Sequence, residues 1–393
     1  MSFNEWRPTK LGDEIELIYG KSLPKTKRIE GDYPVYGSGG ITGTHNQFLV
    51  RGPGIIIGRK GTVGSVYYEP KDYFPIDTTY YVTQSNKYDL KFMYYFLKTQ
   101  SLEKMNSHSA VPGLNREEVY KKSIILPDMN EQKAIADILS SLDDKIELNN
   151  QMNETLEEMA QALFKRWFVD FEFPNEEGQP YKSSGGEMVK SELGMIPKGW
   201  KVKTLQEVSV INPRESFKKG AVGTFVEMAN LPMHSARVTN YSTKVFNGGT
   251  KFRNGDILLA RITPCLENGK TALVDFLKND EVAFGSTEYI VIRPLILGSY
   301  YLYCLARLDS FRDYAIKNMN GSSGRQRVDA SMIKNYLIAS PPGDVLRDFE
   351  QYCSALFVGM KENDEQGRNL IELRDTLLPK LMSGEIRVSD FES

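Results

Sequence analysis

The stretch that decides the fold is IILPDMNEQKAIADILSSLDDKIELNNQMNETLEEMAQALFKRWF, residues 124–168. Pro127 precedes a predicted helix, and Asp128 with Glu131 forms a D-x-x-E start signal in which the Asp128 carboxylate accepts from first-turn N–H groups. The apolar residues of this helix step by three and four, which is the spacing of a coiled-coil seam. We predict that the seam contains Ile138, Leu142, Asn149, Met152, Leu156, Met159 and Leu163. Such a helix is about 58 Å long, more than one small domain spans.

The same pattern returns further along the chain at a fixed offset. Pro127 corresponds to Pro341, and Asn149, which interrupts the first seam, corresponds to Asn363, both at an offset of 214 residues. Hydrophobic periodicity alone matches by chance, whereas a matched proline and a matched mid-helix asparagine indicate an internal duplication. We predict that the second seam contains Leu356, Asn363, Leu370, Leu373 and Leu377.

Length and composition set the bounds of the answer. A chain of 393 residues indicates two or three domains, and 40% hydrophobic with 25% charged residues is typical of a soluble folded protein. There is no apolar run of membrane-spanning length and no signal-peptide core at the start, so we expect a cytoplasmic protein without a membrane partner. Three scattered cysteines indicate neither a disulfide framework nor a metal knuckle.

Net charge is −2, yet it is unevenly distributed. Residues 1–126 carry +4 and residues 181–339 carry +8, whereas residues 127–180 carry −9 and residues 340–393 carry −5. Two basic globular segments therefore alternate with two acidic helical ones. A polyanion such as double-stranded DNA would be attracted to the former and repelled by the latter.

Both globular segments show strands, turns and a short helix in the same order. RGPGIIIGRKGT (51–62) is matched by RNGDILLARITP (253–264), which puts Arg261 where the first copy has Arg59. The predicted class is α+β: two mixed α/β domains joined by two long antiparallel coiled-coil helices in a pseudo-twofold repeat. The predicted boundaries are 1–127 for the first domain, 128–171 for the central helix, 172–188 for a linker, 189–341 for the second domain and 342–393 for the C-terminal helix and tail.

Three motifs that resemble catalytic signatures fail on inspection. LENGKT (266–271) ends like a P-loop, but Pro264 stands at the required first glycine, so a hairpin turn is the better interpretation. PDMNEQK (127–133) has nuclease residue types within two helical turns, and a helix start explains them. SPPG (340–343) resembles a methyltransferase loop but lacks its aromatic residue, so helix entry explains it. The histidines, His45, His108 and His234, are isolated in sequence, and we expect no catalysis by this chain alone.

Four loops remain as candidates for recognition: GRKGT (58–62), SHSAVPGLNR (107–116), ARITP (260–264) and GSSGRQR (321–327). Their residue types suit phosphate contacts and hydrogen bonds to base edges. Arg59 and Arg261 fit strand-end salt bridges equally well, whereas the arginines and glutamine of GSSGRQR have little structural reason to cluster. The candidate DNA-binding residues are Arg59, Lys60, Thr62, His108, Asn115, Arg116, Arg261, Thr263, Ser322, Ser323, Arg325, Gln326 and Arg327.

These motifs resemble those of a known family. LPDMNEQKAIADILSSLDDKIELNN (126–150) is similar to the central region of the specificity subunits of type I restriction–modification systems. SELGMIPKGWKVKTL (191–205) resembles the entrance to that family's second target-recognition domain, and RDTLLPKLMSGEIRV (374–388) resembles its C-terminal ending. The second helix departs from the central pattern, because PPGDVLRDFEQYC occupies the place of PDMNEQKAIADIL.

The resemblance implies a non-catalytic subunit whose two globular domains each read one part of an interrupted, asymmetric DNA site, with the helices setting the spacer. It implies two modification subunits, which carry S-adenosylmethionine, and restriction subunits, which use ATP and Mg²⁺; this chain is expected to hold no cofactor and no metal. Two alternatives stay open from the residues alone. One is a two-lobed scaffold that binds proteins and not DNA, which the basic domains disfavour. The other is a methyltransferase or nuclease, which the failed motifs disfavour.

Overall fold

The computed structural model of the chain describes residues 6–105, 113–278, 280–322 and 324–388. It divides into two compact units, Met1–Glu147 with Arg368–Ser393, and Leu148–Gly367. Each unit holds one globular domain and a portion of both long helices. The predicted boundaries set the helices apart as segments 128–171 and 342–393, whereas contacts group each helix end with the domain on which it packs.

Where the structure describes it, the first globular domain contains short strands and three short α-helices. Strand β5 lies inside a sheet of order β2-β8-β5-β6, and a second sheet has the order β4-β3-β7. In chain order the elements are β1 (Arg7–Lys10), α1 (Leu11–Glu14), β2 (Ile18–Tyr19), β3 (Tyr33–Gly37), β4 (Gly40–His45), β5 (Gly54–Gly58), β6 (Val66–Glu69), β7 (Phe74–Pro75), β8 (Thr79–Thr83), α2 (Leu90–Thr99), α3 (Arg116–Tyr120) and β9 (Ser123–Leu126), followed by the long helix α4 (Met129–Phe164).

The second globular domain follows a short β-hairpin and leads into the second long helix. Its elements are β10 (Met188–Ser191), β11 (Gly194–Pro197), β12 (Lys201–Thr204), α5 (Leu205–Val208), β13 (Ser209–Ile211), β14 (Val222–Val226), β15 (Ser242–Val245), β16 (Thr250–Phe252), β17 (Ile257–Ala260), β18 (Thr271–Leu273), β19 (Ala283–Gly285), β20 (Tyr289–Pro294), α6 (Ser299–Arg307), α7 (Asp309–Lys317), β21 (Met319–Asn320), β22 (Arg327–Val328), α8 (Ala330–Lys334), β23 (Leu337–Ser340) and α9 (Gly343–Ser383).

Sheet topology confirms that the two domains are copies. The order β2-β8-β5-β6 in the first domain becomes β13-β20-β17-β18 in the second. The parallel pair β3·β7 becomes the parallel pair β14·β19, and the antiparallel pair β1·β9 becomes β12·β23. The second copy adds β16 to its smaller sheet and the hairpin β10·β11 at its entrance. The repeated order of pairing shows that the duplication covers the domains as well as the helices.

Helix α2 begins where the sequence provides a cap, and it covers the sheet of the first domain. The Asp89 carboxylate accepts from the N–H of Phe92 at 2.9 Å, which satisfies a donor of the first turn. Phe92 then packs on sheet residues such as Ile55 and Val82. Ile135 and Leu139 of α4 join this core, together with a set from the C-terminal segment, Leu381, Met382 and Val388.

The segment predicted as a linker, 172–188, packs on the second domain. Phe173 is buried, and its ring stacks on Tyr181 at 4.6 Å and on Trp200 at 5.2 Å between centroids. Met188 already belongs to β10. The stretch between the two copies therefore packs on the second domain: its Pro, Gly, Ser and charge content indicated turns, and its aromatic residues anchor those turns to the core.

The long helices pair antiparallel within each unit, although on a seam shifted from the predicted one. In the second unit, Phe164 of α4 meets Phe349 of α9, and Asn153 donates to the Met360 carbonyl. In the first unit, Arg374 of α9 donates to Asp143 of α4 at 2.7 Å. Buried residues of the two long helices include Glu131, Ile135, Ala136, Leu139, Asn149, Ala160, Phe164, Phe349, Cys353, Phe357, Met360 and Leu381.

Three of the predicted seam residues are exposed. Met152, Met159 and Leu373 are 43%, 52% and 45% accessible, so their assignment to the seam was wrong. Asn153 and Ala160, one residue further along, are turned towards the partner helix and the core instead. Residues that are half-buried are Ile138, Leu142, Leu156, Leu163, Leu356, Asn363, Leu370 and Leu377. Apolar spacing alone assigned the longer side chain to the seam, whereas close helix approach favours the small alanine there.

Candidate nucleic-acid interface

In the first domain, two loops that are distant in sequence converge where β5 ends. The N–H of Arg59 donates to the Thr78 carbonyl at 2.9 Å, and the Arg59 carbonyl accepts from the N–H of Leu114, also at 2.9 Å. An antiparallel bridge joins Lys60 to Gly113. Residues 59–62 and 113–116 therefore form one surface, which we call the first loop surface.

Two arginines of the first loop surface flank one tyrosine. The guanidinium carbons of Arg59 and Arg116 lie 5.2 and 5.4 Å from the centroid of the Tyr19 ring. Arg59 also donates from Nη2 to the carbonyl of Asp77 at 2.5 Å. Each guanidinium is attracted to the ring, and Arg116 also lies 3.5 Å from the Glu117 carboxylate.

The other predicted residues of the first loop surface differ in what holds them. Lys60 and Thr62 are exposed. The Asn115 side-chain oxygen accepts from the N–H groups of Glu117 and Glu118, so that residue caps α3. A cap explains the position of Asn115 without any ligand. His108 lies outside the described residues.

A hairpin turn that the sequence analysis did not single out borders the same surface. Ser65 donates from Oγ to the Ser38 carbonyl at 2.5 Å, which brings the turn between β3 and β4 against the loop after β5. Gly58 permits this approach, because a Cβ there would lie 2.1 Å from the Thr62 carbonyl oxygen. The glycine-rich run GSGG (37–40) was a turn signal that also marked this close contact.

The second domain repeats the convergence at the matching positions. The N–H of Arg261 donates to the Glu288 carbonyl at 3.0 Å, and the Arg261 carbonyl accepts from Val328 at 2.9 Å. A bridge joins Ile262 to Arg327, as Lys60 is joined to Gly113 in the first copy. We call residues 261–263, 322 and 324–327 the second loop surface. Two loops that the sequence analysis grouped by residue type are thus brought together in each domain.

Side chains of the second loop surface divide into paired and exposed groups. Arg327 is paired with Glu288, while Arg325 is exposed and Gln326 is half-buried. Thr263 donates from Oγ1 to Glu267 at 2.8 Å, and the Ser322 carbonyl accepts from the N–H of Arg325. Ser323 lies outside the described residues. Of the candidate residues that the structure describes in this loop, Ser322 and Arg325 are therefore exposed, whereas Gln326 is only partly accessible.

A charged cap stands beside Arg261 where the first domain has Asn115. Asp329 begins α8 by accepting from the N–H of Ser331 at 2.8 Å. The Ser331 hydroxyl, the same N–H and the neighbouring Arg261 together lower the pKa of the Asp329 carboxyl. Arg261 of the second loop surface therefore has a carboxylate with a lowered pKa beside it, and Arg116 of the first loop surface has the Glu117 carboxylate at 3.5 Å.

The P-loop-like stretch LENGKT lies in the turn between β17 and β18, as predicted, and its last residue, Thr271, begins β18. Its lysine, Lys270, donates to the carbonyls of Met228 at 2.7 Å and Ala229 at 3.2 Å. The ammonium group therefore fixes a neighbouring loop rather than a phosphate.

Within the described ranges, no group of three or more His, Cys, Asp or Glu is placed to hold a metal ion. The helices that the structure describes include none with the length and apolar character of a membrane span.

The helix starts behave as the sequence indicates, with one exception. Asp128 accepts from the N–H groups of Asn130 and Glu131, both at 3.0 Å, which confirms the start signal. The Glu131 carboxylate, however, accepts from Arg387 and from Trp6. Its assignment to the cap alone was wrong, because a buried carboxylate takes the strongest donors in reach, and these come from the two ends of the described chain.

Comparison with known proteins gives a consistent result. The family model for the type I restriction modification DNA specificity domain matches residues 4–158 and 197–345. The specificity subunit of the type I restriction enzyme MjaIX of Methanocaldococcus jannaschii is 29% identical over 325 residues, covering 76% of this chain and 70% of that protein. The MjaVIII specificity subunit of the same organism is 28% identical over 416 residues, covering 98% and 94%.

A solved structure resembles the chain in fold. The crystal structure of a type I restriction–modification S subunit from M. genitalium matches with a TM-score of 0.58 at 18% identity. The match covers 97% of this chain and 96% of that one. At this level of identity the likeness concerns the fold alone.

Proposed function

We propose, from the premise that this chain belongs to the family of type I restriction–modification DNA specificity domains, that each globular domain reads one half of an interrupted, asymmetric DNA site. The chain is a specificity subunit that recognises DNA sequence, and it works within a complex with other subunits. We further propose that the helical segments between the domains set the length of the unread spacer. The scaffold alternative, in which the chain binds proteins and not DNA, finds no support in its relatives.

One observation carries the assignment of the reading surfaces. In each domain, the strand that matches between copies, β5 or β17, is followed directly by an arginine whose backbone is hydrogen-bonded to the loop before a capped helix. A duplicated DNA reader needs equivalent surfaces with different side chains, since equivalent surfaces position the domain and different side chains distinguish half-sites. The first and second loop surfaces have this relation: the backbone bonds match, whereas Lys60 and Gly113 become Ile262 and Arg327.

The proposed division of labour puts the chemistry in partner subunits. We propose two modification subunits that use S-adenosylmethionine and restriction subunits that use ATP and Mg²⁺.

A stripe of exposed apolar residues on α4, Leu148, Met152 and Met159, supports docking of a modification subunit on this helix, since such side chains rarely line one helix face without a partner. Met152→Lys with Met159→Lys should abolish capture of the modification subunit and leave the melting temperature unchanged. Capture at wild-type strength would exclude this stripe as the docking site.

A salt titration tests DNA binding by the full chain. If arginines and lysines of the loop surfaces contact phosphates, the logarithm of the association constant for random duplex falls linearly with the logarithm of salt concentration, with a slope of about −0.9 per phosphate contact. A slope near zero would contradict the proposal. Mapping of methylated adenines in the host genome then gives the site itself, which we expect to consist of two unlike half-sites around a fixed gap.

A further inference from the structure

A glutamate stands in the middle of the second loop surface. Glu288 immediately precedes β20, and its carboxylate receives Arg327 from one side: Nε donates to both Oε1 and Oε2 at 2.9 Å, and Nη2 donates to Oε1 at 2.8 Å. On the other side, Arg261 Nε lies 3.9 Å from Oε2, a distance that brings charge attraction without a hydrogen bond. Glu288 was not among the candidates identified from sequence.

The first domain has no carboxylate at this position. Thr78 occupies the equivalent place, because its carbonyl accepts the Arg59 N–H as the Glu288 carbonyl accepts that of Arg261. A carboxylate on a DNA-facing surface repels phosphates and weakens binding to any duplex. Only the second domain has a carboxylate at this position, and that carboxylate lowers the affinity for any duplex. We therefore explain Glu288 by selectivity for a DNA sequence rather than by general affinity for DNA.

A contribution to folding stability is a poor explanation for the ion pair between Arg327 and Glu288. The side chains of Arg327 and Glu288 are 40% and 25% accessible. Ion pairs with such exposure contribute little to folding, since water screens them. The bidentate hydrogen bonds do fix the orientation of the Arg327 guanidinium, because a guanidinium that is bound along one edge cannot rotate.

We propose that Glu288 is a positioning residue that orients Arg327 to read a guanine in the second half-site; this inference rests on the proposed function. A guanidinium has five N–H donors. Glu288 takes the Nε donor and one on Nη2, and the Arg325 carbonyl takes one on Nη1 at 3.0 Å. One N–H on each terminal nitrogen is left, and two such donors are what bidentate binding to guanine O6 and N7 requires.

The negative charge adds a second selective effect. Guanine offers two acceptors in the major groove, and these carry no formal charge. A phosphate approaching the same fork meets the Glu288 carboxylate next to it, so Arg327 is biased away from the backbone and towards the base edge. Arg325, which is exposed in the same loop, remains available for phosphate.

The test compares base preferences of full-length variants by selection from a duplex library with both half-sites randomised. Glu288→Gln keeps the shape but loses the charge and one acceptor, and Arg327→Lys keeps the charge but loses the fork. Both should lose preference for guanine at the same single position of the second half-site, by about tenfold or more. Glu288→Gln should also bind random duplex at least as tightly as the wild type. Glu187→Gln, which removes an exposed carboxylate paired with Lys198, is the matched control and should keep every preference.

Coupling between the two residues gives the decisive measurement. Because Glu288 acts through Arg327, the double variant Glu288→Gln with Arg327→Lys should be no worse at that position than Arg327→Lys alone. Independent losses at different positions, equal losses on cognate and random duplex, or unchanged preferences would each overturn the inference. A wild-type chain that enriches no sequence would instead overturn the proposed function, and the inference with it.

Discussion

Glu131 shows how one buried side chain ties distant parts of the first unit together. Its carboxylate is fully buried and accepts from Arg387 Nε at 2.6 Å, Arg387 Nη2 at 2.8 Å and Trp6 Nε1 at 3.0 Å. The next residue, Gln132, donates to the Pro127 carbonyl and accepts from the N–H of Asp89, where α2 begins. The adjacent pair therefore joins the N-terminal segment, the C-terminal segment and α2 to the start of α4.

Glu131→Gln should lower the free energy of unfolding by about 2 kcal/mol, the scale of a hydrogen bond to a charged group. The amide can still accept from Trp6, but Arg387, whose side chain is 32% accessible, loses its ion pair with a fully buried carboxylate. Denaturant unfolding of the full chain measures the change. Glu385→Gln is the control, since its pair with Lys380 is exposed and 3.8 Å long, and it should change stability little. Equal losses of unfolding free energy in the two variants would show that the hydrogen bonds accepted by Glu131 have no special role in stability.

Sequence reasoning reached the start signal at Asp128 but not the role of Glu131, and the reason is distance along the chain. The bonds of Asp128 are made two and three residues away, whereas Arg387 is separated from Glu131 by 256 positions. Glu288 was missed for the same reason, since Arg327 lies 39 residues further on. Local hydrogen bonds follow from residue type and spacing, while long-range pairs become visible only after the chain has folded.

At the scale of elements, the middle of the helix pair in the second unit is polar. Asn149 donates to the Asn363 carbonyl at 3.3 Å and to Gln366 Oε1 at 2.9 Å, and Asn363 donates to Asn153 Oδ1 at 2.9 Å. The sequence predicted both Asn149 and Asn363 in the seams of two antiparallel helices, and residues near the middle of each helix meet in such a pair. It did not predict that Asn153 and Gln366 take part in this layer, because polar residues beside apolar ones resemble the solvent-exposed face of a helix.

The two asparagines should respond differently to replacement by leucine. Asn149 is buried, and within the part of the chain that the structure describes its Oδ1 has no hydrogen-bond partner, so Asn149→Leu removes an unsatisfied group and should raise the melting temperature. Asn363→Leu takes the donor away from Asn153 and should lower it. Calorimetry of the two single variants measures both shifts. Shifts of the same sign would contradict this account of the layer.

A buried carboxylate makes the contact between α4 and α6 sensitive to pH. Glu157 is almost fully buried and accepts from the Tyr303 hydroxyl, and Arg307 Nε lies 3.4 Å from it. Burial raises the pKa of Glu157, against the opposing effects of the Tyr303 hydrogen bond and of the Arg307 and His234 charges. The folded state therefore binds this proton more tightly than the unfolded state.

It follows that the ionised carboxyl costs stability at neutral pH, and that this cost disappears as pH falls through the raised pKa. Glu157→Gln removes the titration but keeps an acceptor for Tyr303. The melting temperature of the wild type, relative to that of the variant, should therefore rise as the pH falls from neutral towards 4.5, the ordinary pKa of a glutamate carboxyl. Glu158→Gln, an exposed neighbour on the same helix, should show no such trend. A constant difference across this range would mean that Glu157 titrates alike in both states.

At the scale of the whole molecule, the duplication relates the helix ends that complete each domain. Leu381 and Met382, buried in the first domain, correspond at the 214-residue offset to Trp167 and Phe168, buried in the second. Arg387, which pairs with Glu131, corresponds to Phe173. Each domain therefore needs the far end of a long helix, and the two ends are related by descent but differ in size and polarity.

A fragment ending near Gln179 keeps the first domain and α4 but loses the segment that supplies Leu381 and Met382. Its exposed apolar surface favours association. The available substitute is α4 of a second fragment, paired antiparallel, so that its Trp167 and Phe168 take those places. Such a dimer has a true twofold axis. It should direct methylation to an interrupted palindrome built from the first half-site alone.

The end of α4 from a second fragment fits the first domain imperfectly, and substitutions that improve this fit provide a test. Tryptophan is larger than leucine, and overpacking of a core is destabilising, while Phe173 cannot pair with Glu131. The fragment carrying Trp167→Leu, Phe168→Met and Phe173→Arg restores the native partners of the first domain and should dimerise more tightly than the unchanged fragment. Sedimentation measures the association, and sequencing of methylated adenines identifies the site. A substituted fragment that stays monomeric, or a dimer that still reads an asymmetric sequence, would show that the two helix ends are not interchangeable.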